Sequence, residues 1–294
     1  MKATADCLIC LLRQALNTAR ALSKDENFHI HSVKKATSYV MNAPLEETPA
    51  AISKPIYKII AKYAKIHDPF FAQKELSNNI AMQMAPTLRK IIKRSKDPLA
   101  TALNIAVAGN TIDFGIATHN FNIAKEINKL IKQNFSINVI DKFKNELKHI
   151  KNLLYICDNA GEIVFDMLLI EELLKNGLNI KAAVKSGPII NDATMEDAEK
   201  IGLTKIVQVI TTGSDDIGIN WKNVSKNFLK SLKEADCIIA KGQGNFETCD
   251  NRKENFYFLL KAKCYVIADA LGVKLNDIVF THISLLKSMN KKEL

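Results

Sequence analysis

The hydrophobic pattern changes near residue 150 and divides the chain into two stretches. In the first stretch, apolar side chains recur every three or four positions. The first run consists of Leu8, Leu11, Leu12, Ala15, Leu16 and Ala19. This spacing predicts helices at residues 5–22, 50–63 and 70–92, the last broken at Pro86. Asp68 and Pro69 are expected to start that last helix. The first stretch is therefore predicted to be a helical domain or cap.

After residue 150, short apolar runs alternate with helical segments. The runs cover residues 153–156, 180–184, 206–210, 237–240 and 265–268. Such runs are typical of strands in a parallel sheet that is buried on both faces. The predicted fold class is α/β: a three-layer α/β/α, doubly wound, mostly parallel sheet with an N-terminal helical domain. The predicted domains are residues 1–107 and 108–294, joined by a hinge at residues 108–115.

Glycines and polar residues follow four of the predicted strands. They occupy residues 158–162, 185–188 with 191–192, 211–215 and 241–247. Because parallel strands end at the same edge of a sheet, these four segments are expected to meet there. Backbone N–H groups at helix starts along such an edge favour anions. The sequence therefore predicts one ligand site at this edge.

Three residues in these segments carry hard oxygen donors, namely Asp158, Asn159 and Asp192. Each could instead cap the helix that follows it, because Asp and Asn favour the N-cap position. Their occurrence after neighbouring strands favours a site for Mg²⁺ or Mn²⁺. Such a site would leave positions open for water and phosphate oxygens.

A second candidate element is the segment at residues 241–245, with Lys241 before two glycines. The glycines let the backbone approach a ligand, and Lys241 supplies a compact charge for a phosphate. The spacing is neither that of a P-loop nor that of a dinucleotide fingerprint. The candidate phosphate- or substrate-binding residues are Asn110, Asp113, Lys185, Gly242, Gly244 and Asn245. A tight turn with an exposed Lys241, and a surface position for Lys185, remain the alternatives.

Composition narrows the range of functions. The net charge is +10, but the lysines are dispersed and the basic stretch at residues 89–96 is typical of a solvated helix face. Aromatic residues make up 7% of the chain and do not interleave with that stretch. Nucleic-acid binding is therefore disfavoured, and the positive field suits acidic small molecules. No run of 18 apolar residues occurs, so no membrane span is expected.

The six cysteines are expected to be reduced thiols of a cytoplasmic protein, since no secretory signal is recognisable. Cys7 and Cys10 form a C-x-x-C pair on one face of the first predicted helix. They could be a redox pair, half of a metal site or structural thiols. Their role is left open, and so is the oligomeric state.

Seven motifs occur in an order known from one family. They lie at residues 7–15, 68–70, 108–114, 158–162 with Asp166, 185–194, 212–214 and 240–247. In these motifs the chain resembles the metal-dependent damage-control phosphatases. It is most similar to the prokaryotic branch with an N-terminal C-x-x-C. Two departures are Ile217, where a proline is common, and Asn276, where a glycine is usual.

The resemblance implies a hydrolase that dephosphorylates small phosphorylated metabolites, sugar phosphates among them. It implies a divalent cation, Mn²⁺, Co²⁺, Ni²⁺ or Mg²⁺, held by Asp158, Asn159 and Asp192. Lys241 would reach the substrate phosphate. Asp158, Glu162 and Lys241 are the candidate catalytic residues, with Glu162 handling protons or orienting water. Whether water or a carboxylate attacks phosphorus is left open.

Two other functions remain open. An S-adenosylmethionine-dependent carboxyl methyltransferase would use the same strand-end loops without a divalent cation. A non-catalytic metabolite or metal sensor would depend on Cys7 and Cys10. Metal-dependent phosphomonoester hydrolysis is the leading hypothesis.

Overall fold

The structure, a computed structural model, describes residues 1–109, 125, 132 and 134–289. Five helices come first. They are α1 (Ala5–Leu22), α2 (Glu26–Val40), α3 (Pro49–Ala64), α4 (Phe71–Arg94) and α5 (Pro98–Ala108). Thr48 and Asp97 cap α3 and α5 through side-chain oxygens, and each is followed by a proline in the first turn. The predicted helices at residues 5–22, 50–63 and 70–92 are confirmed.

Details of the helical part differ from the prediction. The predicted break at Pro86 is wrong, because α4 runs through it without interruption. Met84, Ala85 and Leu88 are fully buried around it. Their packing offsets the backbone hydrogen bond that proline removes. Helix α4 begins at Phe71, slightly later than predicted.

Helix α2 was not predicted at all. Its buried residues are only His29, Ser32 and Ala36. These side chains are small or polar, and the apolar residues of α2 that also pack, Phe28, Tyr39 and Val40, lie near its two ends. The middle of the helix therefore shows no apolar stripe in the sequence.

Seven strands of the described part of the chain form one sheet. They are β1 (Phe135–Asn138), β2 (Asn152–Ile156), β3 (Asn179–Val184), β4 (Gln208–Thr211), β5 (Cys237–Lys241), β6 (Phe256–Lys261) and β7 (Ile278–His282). Their order is β1-β7-β6-β5-β2-β3-β4, and all neighbours are parallel except β6 and β7. Among the described residues, the α-helices that follow are α6 (Ile140–Leu147), α7 (Glu162–Leu174), α8 (Met195–Lys200), α9 (Lys226–Glu234), α10 (Gln243–Cys249), α11 (Tyr265–Leu271) and α12 (Ile283–Met289).

The strand predicted at residues 265–268 is wrong. These residues start helix α11, and the strand is β6, which ends four residues earlier at Lys261. A four-residue apolar run fits a buried helix as well as a strand, so periodicity could not decide between them. Strands β1 and β7 were also missed. Both run antiparallel to the other five, at one side of the sheet.

Side chains on alternate positions of β2 enter two different cores. Leu153 and Tyr155 join a cluster that includes residues of α4, α5 and α7. Leu154 and Ile156 join a cluster with residues of α9, α10 and α11 on the other face. Helices therefore cover both faces of the sheet, and the predicted three-layer fold is confirmed. The boundary between residues 107 and 108 stays a prediction.

Helices α1 to α3 form a third cluster, which α11 contacts through Val266. Among the described residues, none of the helices combines the length and apolar character that a membrane crossing needs.

Candidate metal and phosphate site

The strand order reverses between β2 and β5. The chain passes outward from β2 to β3 and β4, then returns to place β5 on the other side of β2. Open α/β sheets bind ligands in the crevice at such a reversal, at the carboxyl ends of the strands. Asp158 follows β2 and Gly242 follows β5, so both lie at this crevice.

Asp158 and Gly242 approach each other closely. Gly242 has φ 81°. A Cβ atom added there would overlap Oδ2 and Cγ of Asp158. Only glycine therefore lets the Asp158 carboxyl group lie against the turn after β5.

The loops after β2 and β3 are bridged at Asn159 and Asp192. The N–H groups of Ala160 and Ala193 each donate to a carbonyl of the opposite loop at 2.8 Å. In this antiparallel pattern the two bridged residues are the closely spaced pair, about 4.5 Å between Cα atoms, with neighbouring side chains. Asn159 and Asp192 are therefore adjacent, and Asp158 precedes them in the same bridge.

None of these three residues caps a helix through its side chain. The N-cap of α7 is Gly161, and that of α8 is Thr194, in a capping box with Asp197. The capping alternative considered for Asp158, Asn159 and Asp192 is therefore wrong. Their side-chain oxygens are left for other partners.

Hydrogen bonds fix the orientation of the Asn159 amide. Its Nδ2 donates to Oδ2 of Asp158 at 3.0 Å and to Oε1 of Glu162 at 2.6 Å. With the nitrogen used in this way, the carbonyl oxygen Oδ1 is the atom that can accept a ligand.

Carboxyl groups are crowded at this point. Burial raises the pKa of Asp158 well above its usual range, and the nearby Glu162 and Asp192 raise it further. Burial also raises the pKa of Asp192, to about 6, although Lys185, with Nζ at 3.6 Å, opposes the shift. A cation between these groups would relieve their mutual repulsion.

Lys241 lies beneath the crevice and is fully buried. Its Nζ is 2.7 Å from Oδ1 of Asp166 and 3.5 Å from Oε2 of Glu162. Burial alone would lower the pKa of Lys241, but the two carboxylates outweigh it and raise the pKa. The lysine is therefore a buried cation, and the alternative of an exposed lysine is wrong. Its predicted contact with a phosphate stays a prediction.

Lys185 is also buried. Its Nζ donates to the carbonyl oxygen of Gly218, and its side chain is only 2% exposed. The alternative of a surface lysine is therefore wrong. Asn110 and Asp113 lie outside the described residues, so their predicted contribution stays a prediction.

Asn245 ties the two central strands together across the crevice. Its Nδ2 donates to the carbonyl oxygens of Cys157 and Lys241, at 3.1 and 2.7 Å. The N–H of Gly242 donates to the carbonyl oxygen of Leu259 at 3.1 Å. Because this N–H is already used, the role of Gly242 is to let Asp158 approach closely. The N–H groups that follow, at the start of α10, have no partner within the helix.

Comparison with known proteins places this chain in a family. A family model described as the damage-control phosphatase ARMT1-like domain matches residues 3–279. The damage-control phosphatase of Pyrococcus horikoshii is 34% identical over 93% of this chain and 95% of its own. The crystal structure of the P. horikoshii protein has a TM-score of 0.88, with 33% identity over 96% of this chain and 99% of that one.

The chain belongs to the damage-control phosphatase ARMT1-like family. A damage-control phosphatase of Archaeoglobus fulgidus is 32% identical over 95% of this chain and 98% of its own. An uncharacterized protein of Methanocaldococcus jannaschii is 38% identical over 94% of each chain. The predictions of this family and of a phosphatase are confirmed. Assignment to the branch with an N-terminal C-x-x-C stays a prediction.

The donors of this family member fit a divalent cation. Three other buried oxygens nearby, Glu162 Oε2, Asp166 Oδ2 and Asn245 Oδ1, have no hydrogen-bond partner in the part of the chain that the structure describes. Within that part, no group of three or more His, Cys, Asp and Glu side chains forms a metal site by itself. Asp158, Asp192 and the amide of Asn159 would thus hold the ion, with positions left for water and phosphate oxygens.

Lys263 was missed by the sequence reasoning. It is exposed, it follows β6 at the same edge of the sheet, and its N–H donates to Oε1 of Gln243 at 3.2 Å. Burial and neighbouring carboxylates raise the pKa of Asp158, and the charge of the Lys263 ammonium opposes that shift. The sequence predicts the last strand at residues 265–268, which would place Lys263 before a strand. In the structure Lys263 follows β6, at the edge where ligands bind.

Asn78 of α4 was also missed. It is 1% exposed. Its Oδ1 accepts the N–H of Gly161 at 2.7 Å, and its Nδ2 donates to Asp197 at 2.8 Å. Asn78 thus holds the turns before α7 and at α8 in place. The signal for it was a polar residue on the apolar face of a predicted helix.

Proposed function

We propose that this protein hydrolyses small phosphomonoesters with the help of a divalent cation held by Asp158, Asn159 and Asp192. The observation that supports this most is the bridge between Asn159 and Asp192, next to Asp158 at the strand reversal. The bridge gathers three hard oxygen donors from two loops without using them as helix caps.

The bound cation would neutralise charge on the phosphate and orient phosphorus. The protein's own groups supply the rest of the charge stabilisation. The N–H groups of Gln243, Gly244 and Asn245 lie in the first turn of α10, directly after β5, and we propose that they donate to phosphate oxygens. Lys263 is an exposed cation after β6 at the same edge of the sheet, and Lys241 adds positive charge from below. Enzymatic hydrolysis of a phosphomonoester needs the activation free energy to be lowered by on the order of 20 kcal/mol, which positioning and electrostatics must supply.

Glu162 is the residue that we assign to orient water or to move a proton. Its Oε1 accepts from Asn159, and its Oε2 lies 3.5 Å from the ammonium of Lys241. This side chain is 3% exposed and stands between the proposed cation and the buried lysine. A carboxylate held in this way can accept a proton from water at the crevice.

The finer parts of the proposal concern substrate, metal and location. Sugar phosphates or related phosphometabolites are the proposed substrates, in line with the +10 net charge of the chain. Mn²⁺, Co²⁺, Ni²⁺ and Mg²⁺ are the proposed metals, and the cytoplasm is the proposed location. Asn110 and Asp113 are proposed to contact the organic part of the substrate.

The experiment is an assay of phosphate release from a panel of sugar phosphates and nucleotides. The protein is first stripped with a chelator and then given Mg²⁺, Mn²⁺, Co²⁺ or Ni²⁺ separately. Release should require metal and should vanish in Asp158→Ala, while Asp269→Ala, which changes an exposed aspartate of α11, should behave as wild type. If folded protein released no phosphate with any of the metals, the result would contradict the proposal. A thermal shift with S-adenosylmethionine would then favour the methyltransferase, and zinc or iron bound at Cys7 and Cys10 would favour the sensor.

A further inference from the structure

A chain of buried polar side chains runs beneath the proposed metal site. The hydroxyl of Tyr155 donates to Oδ1 of Asp166 at 2.8 Å, and Nζ of Lys241 donates to the same oxygen at 2.7 Å. The ammonium of Lys241 is also 3.5 Å from Oε2 of Glu162. Oε1 of Glu162 accepts from Nδ2 of Asn159 at 2.6 Å. This polar chain therefore links the core of the sheet to a proposed metal ligand.

Asp166 lies too deep to meet a substrate. Its side chain is 0% exposed, as is that of Lys241. Its neighbours along α7 include Ile163, Phe165 and Leu169, which are apolar and fully buried. A buried ion pair is weak support for stability, because removing its charges from water offsets much of their attraction. A role in function is therefore the better reason for its presence.

The positions along α7 explain how Asp166 acts at a distance. Glu162 and Asp166 are four residues apart, so their side chains lie on the same face of the helix. Lys241 comes from β5 and lies between them. The ammonium lies 2.7 Å from the nearer carboxylate, Asp166, and 3.5 Å from Glu162. Glu162 accepts from the amide nitrogen of Asn159, which leaves the carbonyl oxygen of Asn159 for a ligand.

We propose that Asp166 is a positioning residue for the metal ligand Asn159, acting through Lys241 and Glu162. This inference rests on the proposed function, because it concerns the same metal site. Groups that orient metal ligands in this way commonly change metal affinity by about 10- to 100-fold when they are altered. In the part of the chain that the structure describes, the hydrogen-bond partners of Asp166 are Tyr155 and Lys241 and not the proposed ligands, so its effect on metal affinity would have to pass through this polar chain.

The experiment measures the binding of Mn²⁺ alone by isothermal titration calorimetry, at pH 8. Burial raises the pKa of Asp166 to about 6, so the group is ionised at this pH. In Asp166→Asn we expect the Mn²⁺ dissociation constant to rise about tenfold or more. Glu146→Gln is the matched control, because Glu146 also accepts a hydrogen bond from a buried tyrosine, Tyr257, but contacts no residue of the polar chain. Its Mn²⁺ affinity should equal that of wild type.

A second pair of variants covers the case in which Asp166→Asn does not fold. Tyr155→Phe removes only the hydroxyl that donates to Asp166 and keeps the ring in β2. It should weaken Mn²⁺ binding measurably, whereas Tyr257→Phe should leave it unchanged.

Equal Mn²⁺ affinity in wild type and in folded Asp166→Asn would overturn the inference and leave the proposed function standing. Equal weakening in the control variants would also overturn it, because the effect would then be general. A wild-type protein that binds neither Mn²⁺ nor Mg²⁺ would overturn the proposed metal site and this inference together.

Discussion

The carboxyl group of Asp158 occupies the space where a side chain at Gly242 would stand. Gly242 ends the strand on one side of the reversal, and Asp158 follows the strand on the other. The position of the proposed metal ligand therefore depends on the absence of a single methyl group from a neighbouring turn.

Gly242→Ala should remove activity by displacing Asp158. The added Cβ would overlap the carboxyl group, and the φ of 81° is also unfavourable for alanine. We expect kcat/KM for phosphate release to fall about 100-fold or more, because displacing a reacting group by about 1 Å can cost that much. Steady-state kinetics on the best substrate of the panel would measure it.

Gly177→Ala is the matched control for that substitution. Gly177 has φ 74°, but no atom lies within 4 Å of an added Cβ. The variant should lose about 1–2 kcal/mol of unfolding free energy from backbone strain and keep its kcat/KM. Equal activity of the two variants would contradict the role assigned to Gly242.

Asp192→Ala should remove both metal binding and activity. Asp192 is 4% exposed and is bridged to the loop that carries Asp158 and Asn159. Loss of Lewis-acid stabilisation, worth several kcal/mol, should lower kcat by about 1000-fold or more. Calorimetry with Mn²⁺ and circular dichroism would be measured on the same sample. Full activity in the folded variant would refute the assignment of Asp192 as a ligand.

Lys263→Ala should weaken substrate binding more than metal binding. A hydrogen bond to a charged group contributes about 1.5–3 kcal/mol, so KM should rise about 10- to 100-fold. Lys263→Arg, which keeps the charge, should restore part of the loss. An unchanged KM in Lys263→Ala, or an equal loss of Mn²⁺ affinity, would refute a phosphate contact.

The ion pairs between α3 and the loop after β4 should stabilise the fold to an extent that depends on pH. Lys54 lies 2.7 Å from Oδ1 of both Asp215 and Asp216, and Lys58 also pairs with Asp215. Burial would raise the pKa of Asp215, but hydrogen bonds from the two lysines lower it from 3.8 to about 2. Because the folded-state pKa is depressed, the stabilisation is present above about pH 4 and is lost as pH falls through about 2.

The measurement for these ion pairs is the difference in Tm between wild type and Asp215→Asn. The difference should be largest and constant at pH 5 to 7, since Asp215 is ionised there in both folded and unfolded chains. It should shrink steadily as the pH is lowered toward 2. A difference that grows on acidification would contradict the predicted sign.

The location of the site could be predicted from the sequence because its residues follow strands. Asp158 and Asn159 directly follow one apolar run and Asp192 lies in the loop after the next, and the rule for parallel sheets brings such loops together. Lys263 was not predicted as a site residue, because the four-residue apolar run at 265–268 does not distinguish a strand from a helix.

Other parts of the site depend on contacts that no local pattern reveals. Lys241 and Asp166 are 75 residues apart in the chain, and only the packing of α7 on the sheet makes them a pair. The sequence alone therefore does not tell whether Lys241 faces a phosphate or lies beneath the site, because that depends on its contact with Asp166. The uninterrupted path of α4 through Pro86 depends in the same way on tertiary packing.

The most direct test is an anomalous difference map from crystals soaked in Mn²⁺. A peak should appear between the two bridged loops, with oxygens of Asp158, Asn159 and Asp192 about 2.0–2.6 Å away, as for hard cations. No peak there in crystals of active protein, or a peak at Cys7 and Cys10 instead, would contradict the account.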